Sequence, residues 1–445
     1  MYFPKVLIFG PPFNNFTGGG ITLSNLFKAW PIDKIAVTST GHVLQNLSAD
    51  VCNEFYQLGE EEHKWKFPFN LIQRSFPSGL LSFNKQETLT QISHKTSVRQ
   101  ILVDRLFYPF ITWLGLFHCL SKISLSQNFK KWLSVYNPEV LYIQVSSRED
   151  ILFSIELCDY LSIPSVIHIM DDWPSTIGKK GLFKNYWRKK IDKEFRQLLS
   201  RMNLCLSISE AMTTEYLNRY NKIFIAFHNP IETEAWQPYC KTNFELSHDH
   251  VKILYSGRIG IGITESLVEV AKVIENINNT FGEIKLYIQS PTNSFEILRR
   301  LQKFKCIVIN PIVNYSDLPV IFSQADILII ANDFEKQGID YLKYSMPTKV
   351  SEYMISGTPV LVYAPFETAV SRFFAVNECG CCVTEQIPEK LSNAIKLLVS
   401  DEAYRKKISH NAVRLATELF DSKKVRTEFQ QLLINLPKKE VYVHR

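Results

Sequence analysis

The chain has 445 residues, 46% of them hydrophobic and 21% charged, with a formal net charge of +6 at pH 7. This is the composition of a packed globular protein long enough for two domains, and it excludes a disordered chain. So small a total charge gives no reason to expect a nucleic-acid partner, while leaving room for a local basic face.

Nine cysteines lie scattered between Cys52 and Cys382, without zinc-ribbon spacing or the density of a secreted disulfide scaffold, so a reducing cytoplasmic setting is expected. The one cluster, Cys379-Gly-Cys-Cys382, reads as structural. Adjacent Cys381 and Cys382 suit tetrahedral ligation poorly, and no histidine follows at ligand spacing.

The chain opens on Lys5-Val-Leu-Ile-Phe9, a short apolar run that stops at Gly10 and reads as a strand, not as a leader. Further apolar runs predict strands over 34–38, 140–144, 165–169, 204–208 and 223–227, then over 252–255, 284–288, 307–309, 327–330 and 359–362. Segments of helical period separate them, the pattern of βαβ units. The fold class expected is α/β, with two Rossmann-like domains whose mainly parallel sheets face across a cleft. The domains are expected at 1–235 and 251–420, joined by the polar, aperiodic stretch 236–250. The longest apolar stretch, Leu106 to Phe117, is shorter than the roughly 20 residues that span a bilayer and contains Pro109 and Gly115.

In an open parallel sheet, the loops at the carboxyl ends of strands form the ligand crevice. The first strand runs into Gly10-Pro-Pro-Phe-Asn-Asn-Phe-Thr-Gly-Gly-Gly20 before a helix. Gly19 and Gly20 would let backbone amides approach an anion at a helix start, although such a loop also serves as a plain turn. The strand 165–169 leads through His168 and Met170 to Asp171 and Asp172. Two adjacent carboxylates are costly to bury and are expected to face the cleft, Asp171 first among them. A lone histidine on an apolar strand is either a satisfied core residue or, as His168, a side chain sharing a face with position 170.

Next, Phe183, Trp187, Ile191, Phe195 and Leu198 form one apolar stripe flanked by Lys179, Lys180, Lys184, Arg188, Lys189, Lys190 and Lys193. Two readings stand for 179–199: a helix resting on an anionic membrane surface, or a core-packed helix with a basic solvated back.

After the strand 252–255 comes Gly257-Arg258-Ile-Gly-Ile-Gly262 and a helix near Thr264. An arginine there, beside a helix N-terminus, is placed to clamp a diphosphate or else forms a surface salt bridge. The final block is Ser345-Met-Pro-Thr-Lys-Val-Ser-Glu-Tyr-Met-Ile-Ser-Gly-Thr-Pro359, where Pro347 suits a helix start and Gly357 a helix end. Lys349 and Glu352 share a face, so that a cation stands beside phosphate with a carboxylate one turn deeper for ribose hydroxyls. A plain Lys-Glu surface pair is the alternative.

With these residues the chain resembles the GT-B glycosyltransferases, in particular the large retaining group called family 4. The resemblance is carried by the glycine loop, by Ser207-Ile-Ser-Glu-Ala-Met212 with Asn229-Pro-Ile231, by Gly257-Arg258, by Ala325-Asp326 and, most specifically, by Pro347 to Pro359. It implies that Arg258 contacts donor phosphates, that Lys349 and the amides around Thr348 support the diphosphate, and that Glu352 holds the ribose. The donor site expected is thus Gly19, Gly20, Arg258, Tyr344, Ser345, Pro347, Thr348, Lys349 and Glu352, and the catalytic candidates are Asp171 and His168. Three departures stand out. Gly262, Ile263 and Thr264 occupy the region where the family often has a lysine; Tyr344, with Asp340 nearby, stands where it has a first glutamate; and Met170 stands where its histidine precedes the aspartate.

The resemblance further implies transfer of a sugar from a nucleotide-sugar donor, itself a substrate and not a cofactor, to a glycan or lipid-linked acceptor. Retention of configuration, no essential metal, a role in cell-surface polysaccharide or glycoconjugate synthesis, and a final helix in 421–445 crossing back to the first domain go with it. Two rivals remain open: a sugar-nucleotide epimerase on the same fold, and a non-catalytic subunit that binds nucleotide-sugar or membrane.

Overall fold

The computed structural model describes residues 2–436 except 15–16, 42, 45–49, 68, 72, 74, 82–106, 178–180, 248 and 292–293. The chain divides into two compact units, Met1–Ala226 with Glu428–Arg445, and Phe227–Thr427.

The first unit is built on an eight-stranded sheet. Its strands are β1 (Val6–Phe9), β2 (Ile35–Thr40), β3 (Glu54–Leu58), β5 (Gly79–Leu80), β7 (Val140–Ile143), β8 (Ser165–Ile169), β9 (Leu204–Ser207) and β10 (Ile225–Ala226); β4 (His63–Trp65) and β6 (Ser121–Ile123) form a separate antiparallel pair. The order is β10-β9-β8-β7-β1-β2-β3-β5, parallel throughout except where β5 runs antiparallel to β3. Val-Leu-Ile-Phe in β1 and Val-Leu-Tyr-Ile in β7 are buried along their whole length, as strands covered on both faces must be. Strand order reverses between β1 and β7, which places the Gly10 loop and the loop after Ile143 at a topological switch point.

The second unit holds six strands, β11 (Val251–Ser256), β12 (Ile284–Gln289), β13 (Ile307–Asn310), β14 (Ile327–Ala331), β15 (Val360–Tyr363) and β16 (Cys381–Val383). They run parallel in the order β13-β12-β11-β14-β15-β16, with the reversal between β11 and β14. The mainly parallel two-sheet architecture therefore stands.

Several elements lie outside the sequence expectation for physical reasons. In β3, Glu54 and Gln57 break the apolar run, but each is satisfied internally: the Trp132 indole donates to Glu54 at 2.8 Å and Gln57 donates to the Pro77 carbonyl at 2.7 Å. The cysteine cluster runs into β16, an edge strand on which Cys381 is buried and Cys382 half-buried, and burial pushes the Cys382 thiol up to about 12. The division between units falls at Ala226/Phe227, and the stretch 236–250 packs on the second unit. Trp236 lies against Phe322, and the Lys241 ammonium donates to the Ser323 and Ala325 carbonyls. The last helix, Ser422–Ile434, begins in the second unit and ends in the first, where Phe429 meets Phe27 and Tyr142 edge-on.

Candidate functional site

In the second unit, β11 hands over to Gly257 and Arg258. The Tyr255 hydroxyl donates to the Arg258 carbonyl at 2.5 Å, and the Gly257 amide donates to the Gln289 carbonyl at 2.9 Å, so the loop is pinned at both ends. Gly257 has φ +142°, and a Cβ there would stand 3.2 Å from the Lys349 Nζ; only glycine leaves that approach open. Lys349 is the first residue of the helix Lys349–Ile355, and its ammonium lies 3.8 Å from the centroid of the buried Tyr255 ring. The ring face is an attractive seat for a cation but it is no counter-ion.

Arg258 is exposed, with its guanidinium 5.9 Å from the Tyr341 ring centroid. Among the described residues no carboxylate lies within ion-pair distance of Arg258 or Lys349, so neither the salt-bridge reading nor the Lys-Glu surface pair applies. Burial and the neighbouring Arg258 charge push the Lys349 ammonium down to about 7. Glu352, one turn on and 6% exposed, is pushed up to about 7 by burial, against a hydrogen bond from Tyr315 and the charge of Lys349. Two cations without a carboxylate between them thus stand in front of a buried carboxylate.

The other donor residues expected in this unit lie just before the helix Lys349–Ile355. Tyr344 and Ser345 are buried, the Ser345 amide donating to the Leu342 carbonyl at 3.1 Å and the Lys343 ammonium lying 5.0 Å from the Tyr344 ring centroid. Pro347 and Thr348 are half-buried just ahead of the helix, and the Thr348 carbonyl accepts from Ser351. Asp340 is bound to Lys336 at 3.5 Å. Asp326 is a structural residue: buried, it accepts from the Ser247 and Lys252 amides and fixes the start of β11.

The helix Thr264–Asn278 contributes less than its position suggests. The Asp333 carboxylate already accepts the Ser266 amide at 2.8 Å, so the helix N-terminus expected to help hold a diphosphate is capped from within the unit. Sequence reasoning missed Tyr255, Tyr315, Asp333 and Gln289. Gln289 ends β12, is buried, and has an Oε1 without a hydrogen-bond partner among the described residues. Position at the carboxyl end of a strand was the available signal for Gln289.

In the first unit the glycines fall inside the helix Gly18–Phe27, which starts earlier than expected. Thr17 caps it, and its hydroxyl accepts the Gly20 amide at 3.1 Å; that amide is engaged, whereas Gly19 opens onto free space. His168 is 1% exposed and hydrogen-bonded through Nδ1 to Tyr142, and burial pushes its imidazole down to about 3. It is a neutral side chain enclosed in the core, and its Nε2 has no hydrogen-bond partner among the described residues. Asp171 is exposed after β8 and Met170 half-buried.

Asp172 departs from expectation. It is 3% exposed and accepts from Arg219 at 2.8 and 3.1 Å and from the Tyr216 hydroxyl at 2.9 Å. An arginine fork and a phenol from the helix Glu210–Tyr220 meet the cost of burying it.

No protein-family model matches the chain, and no curated protein matches it in sequence. Its likeness lies in structure. It is similar to Anabaena HepE, solved in complex with UDP and glucose, at 12% identity and TM-score 0.62 over 97% of this chain and 100% of that one. Sucrose-phosphate synthase from Thermosynechococcus elongatus matches at 13% identity and TM-score 0.64 over 97% and 98% of the two chains. A glycosyltransferase from Rickettsia africae matches at 12% identity and TM-score 0.57 over 97% and 99%. The chain has the GT-B fold.

Within this GT-B chain part of one sequence departure has a backbone reason: Gly262 has φ +85°, a conformation that L side chains rarely adopt, which disfavours a lysine at that one position. Arg258 and Lys349 are the cations at the carboxyl end of β11 described above. Among the described residues no group of His, Cys, Asp and Glu is arranged to hold a metal ion, and no helix is long and apolar enough to cross a membrane.

Proposed function

We propose that the protein is a glycosyltransferase that binds a nucleotide-sugar through its second unit and transfers the sugar to a glycan or lipid-linked acceptor. The observation that carries this reading is the pair Arg258 and Lys349, two cations without a carboxylate partner beside Gly257, with Glu352 buried behind them. A diphosphate supplies the missing charge, and the carboxylate accepts hydrogen bonds from ribose hydroxyls. Similar folds solved with UDP and with UDP-glucose support a uridine nucleotide as the first donor to test.

In this reading the leaving diphosphate gathers negative charge as the sugar becomes oxocarbenium-like, and Arg258 and Lys349 stabilise that charge. Retention as in family 4, transfer without an essential metal, and a place in surface polysaccharide or glycoconjugate synthesis extend the proposal. Asp171 is the acceptor-side candidate because it is the exposed carboxylate at the carboxyl end of β8. His168, buried in the same strand and hydrogen-bonded through Nδ1 to Tyr142, is the second candidate.

Glu352→Gln keeps the volume of the side chain and removes its charge. Losing charge-assisted hydrogen bonds worth about 1.5–3 kcal/mol lowers kcat/KM for transfer roughly 10- to 100-fold with the fold intact. Steady-state transfer from radiolabelled donor measures it, and wild-type turnover in a folded variant would sink the assignment. Incubation with donor alone separates the rival reading: a product epimerised at the sugar, formed without acceptor, makes the protein an epimerase.

A further inference from the structure

The helix Lys184–Leu199 answers one of the two readings of its stripe. Trp187, Ile191, Phe195 and Leu198 are buried in the first unit, so the stripe is core from Trp187 onward, whereas its first member, Phe183, is exposed. The apolar surface lies instead at the helix start and on a second segment far away in sequence. Phe110, Trp113 and Phe117 come from the helix Tyr108–Trp113 and the turn after it, and Leu182, Phe183 and Tyr186 from the approach to Lys184; all six are between 47% and 59% exposed.

The two segments are joined. The Leu182 amide donates to the Trp113 carbonyl at 2.8 Å. A Cβ on Gly115 would meet the Trp187 indole at 2.6 Å and lie 3.8 Å from the Phe183 Cβ. Trp187 stacks its edge on Tyr186 at 5.1 Å and on His118 at 5.2 Å, forming the buried hub beneath the surface. Six large apolar side chains held open together by a rigid hub are not scattered surface residues.

Charge identifies what covers them. Lys184, Arg188, Lys189 and Lys193 are exposed on the same helix, and Lys190 lies over the Tyr186 ring at 5.5 Å. The segment 107–119 contains no acid, and the one acid between 181 and 193, Asp192, is bound to Arg196 at 2.8 Å. Lys179 and Lys180 lie outside the described residues. An apolar surface half-ringed by uncompensated cations matches the interface of an anionic bilayer, where aromatic rings sit at headgroup level and lysines meet lipid phosphates.

We propose that the first unit docks on an anionic lipid surface through Phe110, Trp113, Phe117, Leu182, Phe183 and Tyr186, with the cationic face of the helix Lys184–Leu199 beside them. The inference is independent of what the second unit binds. The contact is peripheral, formed by side chains from two segments that only the fold brings together.

Co-sedimentation of the full chain with vesicles tests it. Wild-type protein pellets with vesicles of phosphatidylcholine and phosphatidylglycerol in equal parts, pellets weakly with phosphatidylcholine alone, and is released by high salt. Lys184→Gln/Arg188→Gln/Lys189→Gln/Lys193→Gln, at exposed positions that leave the core untouched, weakens binding on the order of 100-fold. Phe110→Ser/Trp113→Ser/Phe183→Ser, with its circular dichroism checked, abolishes it. Equal binding to both vesicle types, no binding to either, or wild-type binding by the charge variant overturns the proposal. So does a dimer in solution that the aromatic variant converts to monomer, since the surface then belongs to a second copy.

Discussion

Asp172→Ala is expected to destabilise the first unit by about 3–5 kcal/mol, because it leaves the Arg219 guanidinium without the carboxylate it straddles. Asp172 also takes the Tyr216 hydroxyl, so the change strands a second polar group inside the same helix contact. For a unit of this size that loss lowers Tm by roughly 6–20 °C. Asp171→Ala, one residue earlier and exposed, leaves stability within about 0.5 kcal/mol of wild type and lowers transfer instead. Thermal and urea unfolding of both variants separate the two carboxylates. A Tm for Asp172→Ala within about 2 °C of wild type would show that the buried pair adds little.

This contrast marks where the sequence stops being informative. Two adjacent aspartates after an apolar strand announce a strand end, and continuous runs such as Ile-Leu-Ile-Ile-Ala in β14 announce strands covered on both faces. What separates Asp171 from Asp172 is a guanidinium 47 positions later, and no local pattern carries that information. The strand β3 was hidden for the same reason: Trp132, distant in sequence, satisfies Glu54.

The donor group follows the same rule. Lys349 and Glu352 were legible because three residues of helix put them on one face, and Gly257-Arg258 because they follow a strand. Tyr255 beneath the ammonium, Tyr315 on the carboxylate and Asp333 on the helix start come from other strands and loops. Asp333 also shows why a helix N-terminus in a sequence is a weak sign of an anion site: the fold can fill it with its own carboxylate. Periodicity shows the stripe on the helix Lys184–Leu199 but leaves its direction open; the core takes Trp187, Ile191, Phe195 and Leu198 and leaves Phe183 outside.

Affinity for nucleoside diphosphate is expected to peak near pH 7 and to fall on either side. Lys349 binds its proton at about 7 in the folded chain against 10.5 ordinarily, so between those values the unfolded chain holds more protons. The stability linked to this lysine is therefore fully present above 10.5 and lost as pH falls towards about 7. Glu352 runs the other way: raised from 4.5 to about 7, it stabilises the fold below 4.5 and loses that contribution as pH rises through about 7. Near pH 7 both charged forms carry their greatest cost, and an anion that pairs with the ammonium relieves part of it. Binding above pH 7 accordingly takes up a proton at Lys349, while below it Glu352 must release one before it can accept ribose hydroxyls. Calorimetry of UDP binding in buffers of different ionisation enthalpy reads the uptake directly. Lys349→Met removes the fall above pH 7 and, with Arg258→Ala, weakens binding by roughly 100- to 1000-fold if each charge-assisted contact contributes about 1.5–2 kcal/mol. Binding that stays constant from pH 7 to pH 9 in the wild-type chain, without proton uptake, would place the diphosphate away from Lys349.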